Sequence, residues 1–351
     1  MQRPGRVDGM RLLMLGGTGF VGGATVAEAV HRGWSVTVFN RGRHGAPPQG
    51  VRRLVGDRTA ADGLTALAGG EWDLVVDTWD GAPRAAQATA RALAGQVGHY
   101  VYVSSASVYA PPVAAGATEQ APVADADPGA VDGDYPTLKA GAERALREVL
   151  GDRVLLARAG LIIGPGEDIG RLPWWLTRIA RGGDVLAPGP ADLPVQYVDV
   201  RDLAAYLLAA GAAGRGGAVN VVSRPGHTTT GELLAACLAA TGADARLRWA
   251  DPEQLLAAGV EPWNDLPIWI PPGHEYRWMQ QLDVGLAYAD GLTCRPVADT
   301  VTDTWSWLRR VGAVPARAGR PARAPVGLDP AREATLLAAI GAEQPAPMPP
   351  G

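Results

Sequence analysis

The apolar run "RLLMLG" (11–16) passes directly into "GGTGFVGG" (16–23) and then into a helical pattern, Val21–Arg32. Glycines at 16, 19 and 22 therefore sit where a strand turns into a helix. Each spacing has a physical use. The first glycine allows a tight turn, the second lets backbone approach a pyrophosphate, and the third permits close helix–strand packing, with the phosphates on the positive end of the helix. A glycine-rich chain can show such spacing in an ordinary turn; its place at the first strand–helix junction is what gives it weight.

The pattern that follows has the same rhythm. "SVTVFN" (35–40), "WDLVVDT" (72–78), "HYVYVSS" (99–105) and "VLLARA" (154–159) are short apolar runs, mostly rich in β-branched or aromatic residues, and read as strands. Helix-like segments at Val21–Arg32, Pro83–Val97 and Tyr135–Leu150 separate them. Such alternation specifies a parallel sheet covered on both faces, an α/β doubly wound fold of the Rossmann type. Residues 10–170 form the expected dinucleotide-binding domain, with 195–222 returning to it as a strand running into a helix. Residues 171–194 and 223–312 are the expected smaller, irregular substrate-binding region. It holds a capped helix at "TTTGELLAACLAATG", a strand at "ARLRWA" and a closing helix at 296–312. Residues 1–9 read as a flexible extension, with Met10 an alternative start. Residues 313–351 read as a Pro/Ala-rich linker with a short helix, Pro330–Ile340, and a proline-rich end.

Composition narrows the function. A net charge of −4 gives no basic footprint for nucleic acid. Two distant cysteines, Cys237 and Cys294, and five histidines without ligand spacing point away from a disulfide framework or a metal site and towards a reducing compartment. No apolar run has the length of a membrane span. The expectation is a cytoplasmic protein acting on a small molecule.

The second strand ends "VFNRGR". An acidic residue there would bond the adenosine ribose hydroxyls of NAD; Asn40 and Arg41 stand instead, and an arginine can pair with a 2′-phosphate. NADP(H) is therefore the expected cofactor, with NAD(H) the alternative. Phe20 and Val21 of the glycine turn belong to the same expected site. Asp57, in "LVGDR" after the third strand, reads equally as an adenine contact or a turn residue.

Lys139 is the single lysine among 32 basic residues. It lies four residues after Tyr135, so a helix puts both on one face. A phenol with an ordinary pKa near 10 is a poor proton carrier at neutral pH until a cation lowers it, and a compact ammonium suits that task and the ribose hydroxyls better than a planar guanidinium. YxxxK alone is common by chance. Joined to the glycine turn and the serines of "VSSASVY" (103–109), it points to redox chemistry. Glu143, further along the helix, reads as a solvated or paired position.

"GGTGFVG", "YVSSASVY", "YPTLK", "ARAGLIIGPG" and "VQYVDVRDLA" occur in the order and spacing of extended short-chain dehydrogenases/reductases. Over about residues 11–310 the chain resembles the bacterial NAD-dependent epimerase/dehydratase proteins akin to the chloroplast stem-loop RNA-binding group. The resemblance implies that Ser105 orients the substrate oxygen, Tyr135 transfers the proton and Lys139 holds the nicotinamide ribose. It also implies a homodimer through the helices at 83–97 and 135–150. Leu15 and Pro136 depart from the family's common threonine and glycine. Where dehydratases of the superfamily carry an Asp-Glu pair after the hydroxyl residue, Ala106-Ser107 stands here, which disfavours sugar dehydration. The expected activity is hydride transfer between NADP(H) and a carbonyl/alcohol or imine/amine substrate. A sugar or nucleotide-sugar epimerase is the first alternative, and a non-catalytic RNA-binding or cofactor-sensing protein the second. Eight of 11 tryptophans lie beyond residue 170, consistent equally with an aromatic pocket or a Trp-packed core. Candidate pocket residues are Trp79, Trp174, Gln196, Trp263, Trp269 and His274.

Overall fold

The computed structural model describes residues 9–43, 45–315 and 326–343. The extension at 1–8, His44, most of the Pro/Ala/Arg stretch (316–325) and the proline-rich end lie outside the described residues. Strands β1 (Arg11–Leu15), β2 (Ser35–Asn40), β3 (Arg52–Val55), β4 (Trp72–Asp77), β5 (Val97–Ser105) and β6 (Val154–Ala159) join strand Gly217–Val221 in a seven-stranded sheet. From one edge the order is β3-β2-β1-β4-β5-β6-(217–221), and every pairing is parallel. The order reverses direction at β1, the place where a doubly wound sheet opens a crevice at its carboxyl edge.

Alternation along each strand builds the two faces. Leu12 and Met14 of β1, Leu74 and Val76 of β4, and Val101 and Val103 of β5 join one apolar layer. Leu13 and Leu15, Val75, and Tyr100 and Tyr102 join the other. Successive side chains point to opposite faces, so an uninterrupted apolar run fills both layers. Helices α1 (Phe20–His31) and α5 (Val200–Ala212) pack together over the first face, and α2 (Pro83–Leu93) and α3 (Tyr135–Leu150) over the second. α2 is shorter than its apolar pattern suggests. The chain leaves the helix so that the Gln96 carbonyl can accept from Trp72 N (2.9 Å) and start β5 at Val97.

A second core gathers helices α4 (Arg171–Ala180), α6 (Thr230–Thr241) and Val297–Val311 with the parallel strand pair Gly183–Pro188 and Ala245–Ala250. The C-terminal helix is longer than its pattern, Pro330–Glu343, and docks on this core. Glu333 is buried there, pairs with Arg178 of α4 and accepts from Leu186 N at 3.1 Å.

Candidate active site

The glycine turn is built as its spacing requires. Gly16 and Gly17 hold φ of +114° and +84°, values that L side chains rarely adopt. A Cβ on Gly22 would lie 2.7 Å from Gly17 N, a backbone atom with nowhere to go. Gly19 opens α1 without a side-chain cap, so no capping side chain satisfies the first N–H groups of the helix, and this first turn lines the cleft. The turn is braced from outside by Asn40, whose amide donates to Gly16 O (3.2 Å) and accepts from Gly42 N (2.9 Å).

The cleft measures about 720 Å³ and runs along the carboxyl edge of the sheet. Gly16, Gly19, Gly22, Phe20 and Val21 line its floor, and Asn40, Arg41 and Asp57 line the side beyond β2 and β3. The Thr59 hydroxyl, and then the Thr59 N–H, hold the Asp57 carboxyl below its usual range. Ser105, Tyr135, Lys139 and Trp79 line the same cleft.

α3 begins at Tyr135. Asp134 caps it by accepting from Thr137 N (2.9 Å), and Pro136 sits in the first turn, where no intrahelical donor is needed. Tyr135 is left half-exposed at the cleft, while Lys139, one turn deeper, is buried. The ammonium donates to Trp79 O (2.6 Å) and Val103 O (2.7 Å), and lies 4.6 Å from the Tyr102 ring centroid and 5.9 Å from that of Tyr135. Burial, and then the Asp77 charge, push the Tyr102 phenol well up, which keeps it a neutral donor to Trp79 O. Ser105 ends β5; its hydroxyl accepts from Ser107 N and lies 3.1 Å from the Ser107 hydroxyl. The arrangement offers an anion cradle at one end and, at the other, a half-exposed phenol beside a held cation.

Trp263 also lines the cleft. Its backbone occupies φ +70°, fixed by its N–H on Trp269 O (3.0 Å), and the Arg171 guanidinium stacks 4.7 Å from its ring. The other four candidates are not among the cleft's lining residues. Trp174 stacks edge-on against Trp175 and packs on the second core. Gln196 is fully buried, tied to Gln280, Ser223 and Leu282 by backbone and side-chain bonds. Trp269 is a core residue, and His274 lies beside exposed Tyr276. Large aromatic and amide side chains serve packing as readily as binding, and their spacing carries no sign of which.

Several cleft residues had no signal as functional: Arg58, Asp168, Arg171 and Met279. For Asp77 and Asp80 there was one readable hint: "DTWD", starting at the last residue of β4, puts both carboxylates beside Trp79. Glu143 is paired and buried: it accepts from Ser104 Oγ (2.6 Å) and from Arg158 through both carboxylate oxygens.

The comparisons fit this geometry. Residues 72–222 match the model of the NAD-dependent epimerase/dehydratase family. Those residues belong to that family. They carry Ser105, Tyr135 and Lys139, whereas the glycine turn lies before them. The fold also aligns over nearly the whole chain with solved structures. Bordetella bronchiseptica WbmG in complex with NAD aligns with TM-score 0.64 at 19% identity, covering 90% of this chain and 99% of that one. WbmH from the same organism, in complex with NAD+, aligns with TM-score 0.64 at 18% identity over 87% and 100%. The UDP-N-acetylglucosamine 4-epimerase of Methanobrevibacter ruminantium M1 aligns with TM-score 0.63 at 15% identity over 87% and 99%. At these identities the likeness is one of fold. No curated protein matches the sequence. Among the described residues no helix is long and apolar enough to cross a membrane.

Proposed function

We propose that this protein is a nicotinamide-dependent oxidoreductase, using NADP(H), that moves hydride to or from a carbonyl/alcohol or imine/amine carbon. The single observation that carries the reading is Tyr135 half-exposed at the cleft with the buried Lys139 ammonium behind it, in one cavity with the glycine turn. The residues fit a dinucleotide. Gly16, Gly19, Gly22 and the N–H groups of Phe20 and Val21 would hold the pyrophosphate, Asp57 the adenine edge, and Lys139 the nicotinamide ribose. When bound, the cofactor supplies or accepts the hydride. The chain's own part is the proton: Ser105 orients the substrate oxygen or nitrogen, and Tyr135 gives it a proton on reduction or takes one on oxidation. Lys139 favours the phenolate electrostatically and so brings the phenol towards neutral-pH chemistry.

Arg41 beside Asn40, with no carboxylate ending β2, supports the 2′-phosphate form of the cofactor. Against that stand the NAD-bound Bordetella enzymes. The UDP-glucose and NAD complex of MoeE5 and the Methanobrevibacter UDP-N-acetylglucosamine 4-epimerase favour a second reading, a nucleotide-sugar epimerase that keeps its cofactor. Calorimetric titration with NADPH and NADH tests the first reading, followed by a screen of ketones and imines with the tighter reductant. Tighter NADPH binding with net consumption of reductant supports the reductase. A cofactor that co-purifies and is never consumed supports the epimerase, and no binding of either dinucleotide overturns both. A homodimer through α2 and α3 belongs to the same reading, and a monomeric mass in solution removes it.

A further inference from the structure

We infer that Asp77 is a positioning residue, whose carboxylate anchors Trp79 through its N–H so that the Trp79 carbonyl, on the next peptide plane, seats the Lys139 ammonium. The inference rests on the proposed roles of Tyr135 and Lys139.

Asp77 ends β4 and is fully buried. Its Oδ1 accepts from Trp79 N (3.0 Å) and Arg58 Nη2 (3.1 Å), and its Oδ2 from Arg58 Nη1 (2.9 Å) and the Tyr100 hydroxyl (2.6 Å). Four donors fill the four lone-pair directions of a carboxylate. Arg58 comes from the turn after β3 and Tyr100 from β5, so the carboxylate is locked from two neighbouring elements. The Arg58 guanidinium in turn lies 4.9 Å from the centre of the Trp79 ring.

Trp79 converts this lock into a position for the ammonium. Its N–H is held by Asp77, its indole donates to Ala82 O (2.9 Å), and its carbonyl accepts from Lys139 Nζ (2.6 Å) and the Tyr102 hydroxyl (2.9 Å). The two carbonyls that hold Lys139 differ in kind. Val103 lies inside β5, where the sheet ladder sets its direction. Trp79 lies two residues past the end of β4, where no ladder reaches. Asp77 supplies the missing restraint. If it is lost, the backbone can rotate at Trp79 and carry its carbonyl with it, and the ammonium shifts relative to the Tyr135 ring, 5.9 Å away. The titratable and charged groups bordering this space include Arg58, Tyr100, Tyr102, Tyr135, Asp77, Asp80 and Glu143.

The test reads the Tyr135 phenol in the intact protein by its phenolate absorbance. Burial pushes six of the eight phenols upward, so subtracting the trace of a Tyr135→Phe variant isolates Tyr135. Removing Arg58 and Asp77 together avoids leaving a buried unpaired charge. In Arg58→Met/Asp77→Leu no acceptor remains for Trp79 N–H. The Tyr135 midpoint is expected to rise by about half a pH unit, part of the way to that of Lys139→Met. In Arg58→Met/Asp77→Asn the amide oxygen still accepts that N–H, and the midpoint is expected to stay at the wild-type value. Should the leucine variant not fold, Arg58→Met/Asp77→Val is measured in its place. Equal midpoints in the two double variants overturn the inference alone, because a charge pair with a merely structural role predicts no difference between them. A Lys139→Met variant with an unmoved midpoint overturns the proposed function and this inference with it.

Discussion

Lys139 and Glu143 stand one helical turn apart on α3 and bond to consecutive residues of β5. The ammonium donates to Val103 O at 2.7 Å, and the carboxylate receives the Ser104 hydroxyl at 2.6 Å. The helix that carries the phenol is thereby pinned to the sheet at two successive turns. Arg158 of β6 locks the second pin, with Nε 3.0 Å from Glu143 Oε1 and Nη2 2.7 Å from Oε2.

Breaking that second pin should cost stability more than its surface-like position on the helix pattern suggests. Glu143→Gln leaves the Arg158 guanidinium buried without its counter-charge, a change expected to destabilise by about 3 kcal/mol. Urea unfolding with an unchanged m-value checks it; a loss near zero would show that the pair is not energetically coupled.

Tyr135→Phe should lower turnover by about a hundredfold or more, the usual contribution of a positioned proton donor, while NADPH affinity changes little. The two quantities separate because the phenol, unlike Lys139, is assigned no cofactor contact. Full turnover in the phenylalanine variant would remove the proton-transfer role.

Arg41→Ala should weaken NADPH about tenfold and leave NADH unchanged, since a charge-assisted contact to the 2′-phosphate is lost and nothing in NADH replaces it. Equal losses for both cofactors would assign Arg41 to the cleft's general field rather than to the 2′ position.

Glu167 gives a pH dependence with a definite sign. It is fully buried and caps α4, accepting from Arg171 N (2.6 Å) and Leu172 N (3.3 Å), yet desolvation wins over these donors and over the Arg171 charge and raises its pKa from 4.5 to about 7. Asp168 adds a smaller push in the same direction. Between those values the folded chain holds a proton that the unfolded chain has released, so this residue's contribution to stability falls as pH rises from 4.5 to about 7 and is flat above. Glu167→Gln should remove that slope, gaining on the wild type at about pH 8 relative to about pH 5. Urea midpoints at the two pH values measure it; parallel shifts in both proteins would refute the assignment.

The features legible in the chain were those set by backbone period. β1 to α1 could be read because an apolar run and three spaced glycines are local, and Tyr135 and Lys139 share a face because residues four apart on a helix do so anywhere. The crevice followed, since alternating strands and helices leave few ways to order a parallel sheet. Trp174 and Trp269 show where this ends. Tryptophan spacing reads the same in a core and in a pocket, and here these two fill the core while Trp79 and Trp263 reach the cleft. The C-terminal helix meets the second core through contacts far apart in the chain, among them Glu333 with Arg178, 155 residues earlier.

Sequence alone therefore determined the strand–helix alternation, the glycine cradle and the phenol–ammonium pair, because each lies within a few residues along one element. Tertiary structure decided which partner each buried or cleft charge meets: Arg58 with Asp77, Glu143 with Arg158, and Arg171 over the Trp263 ring. Those partners are brought together by sheet order and by packing between elements, and a buried charge is stable only beside the partner that packing delivers.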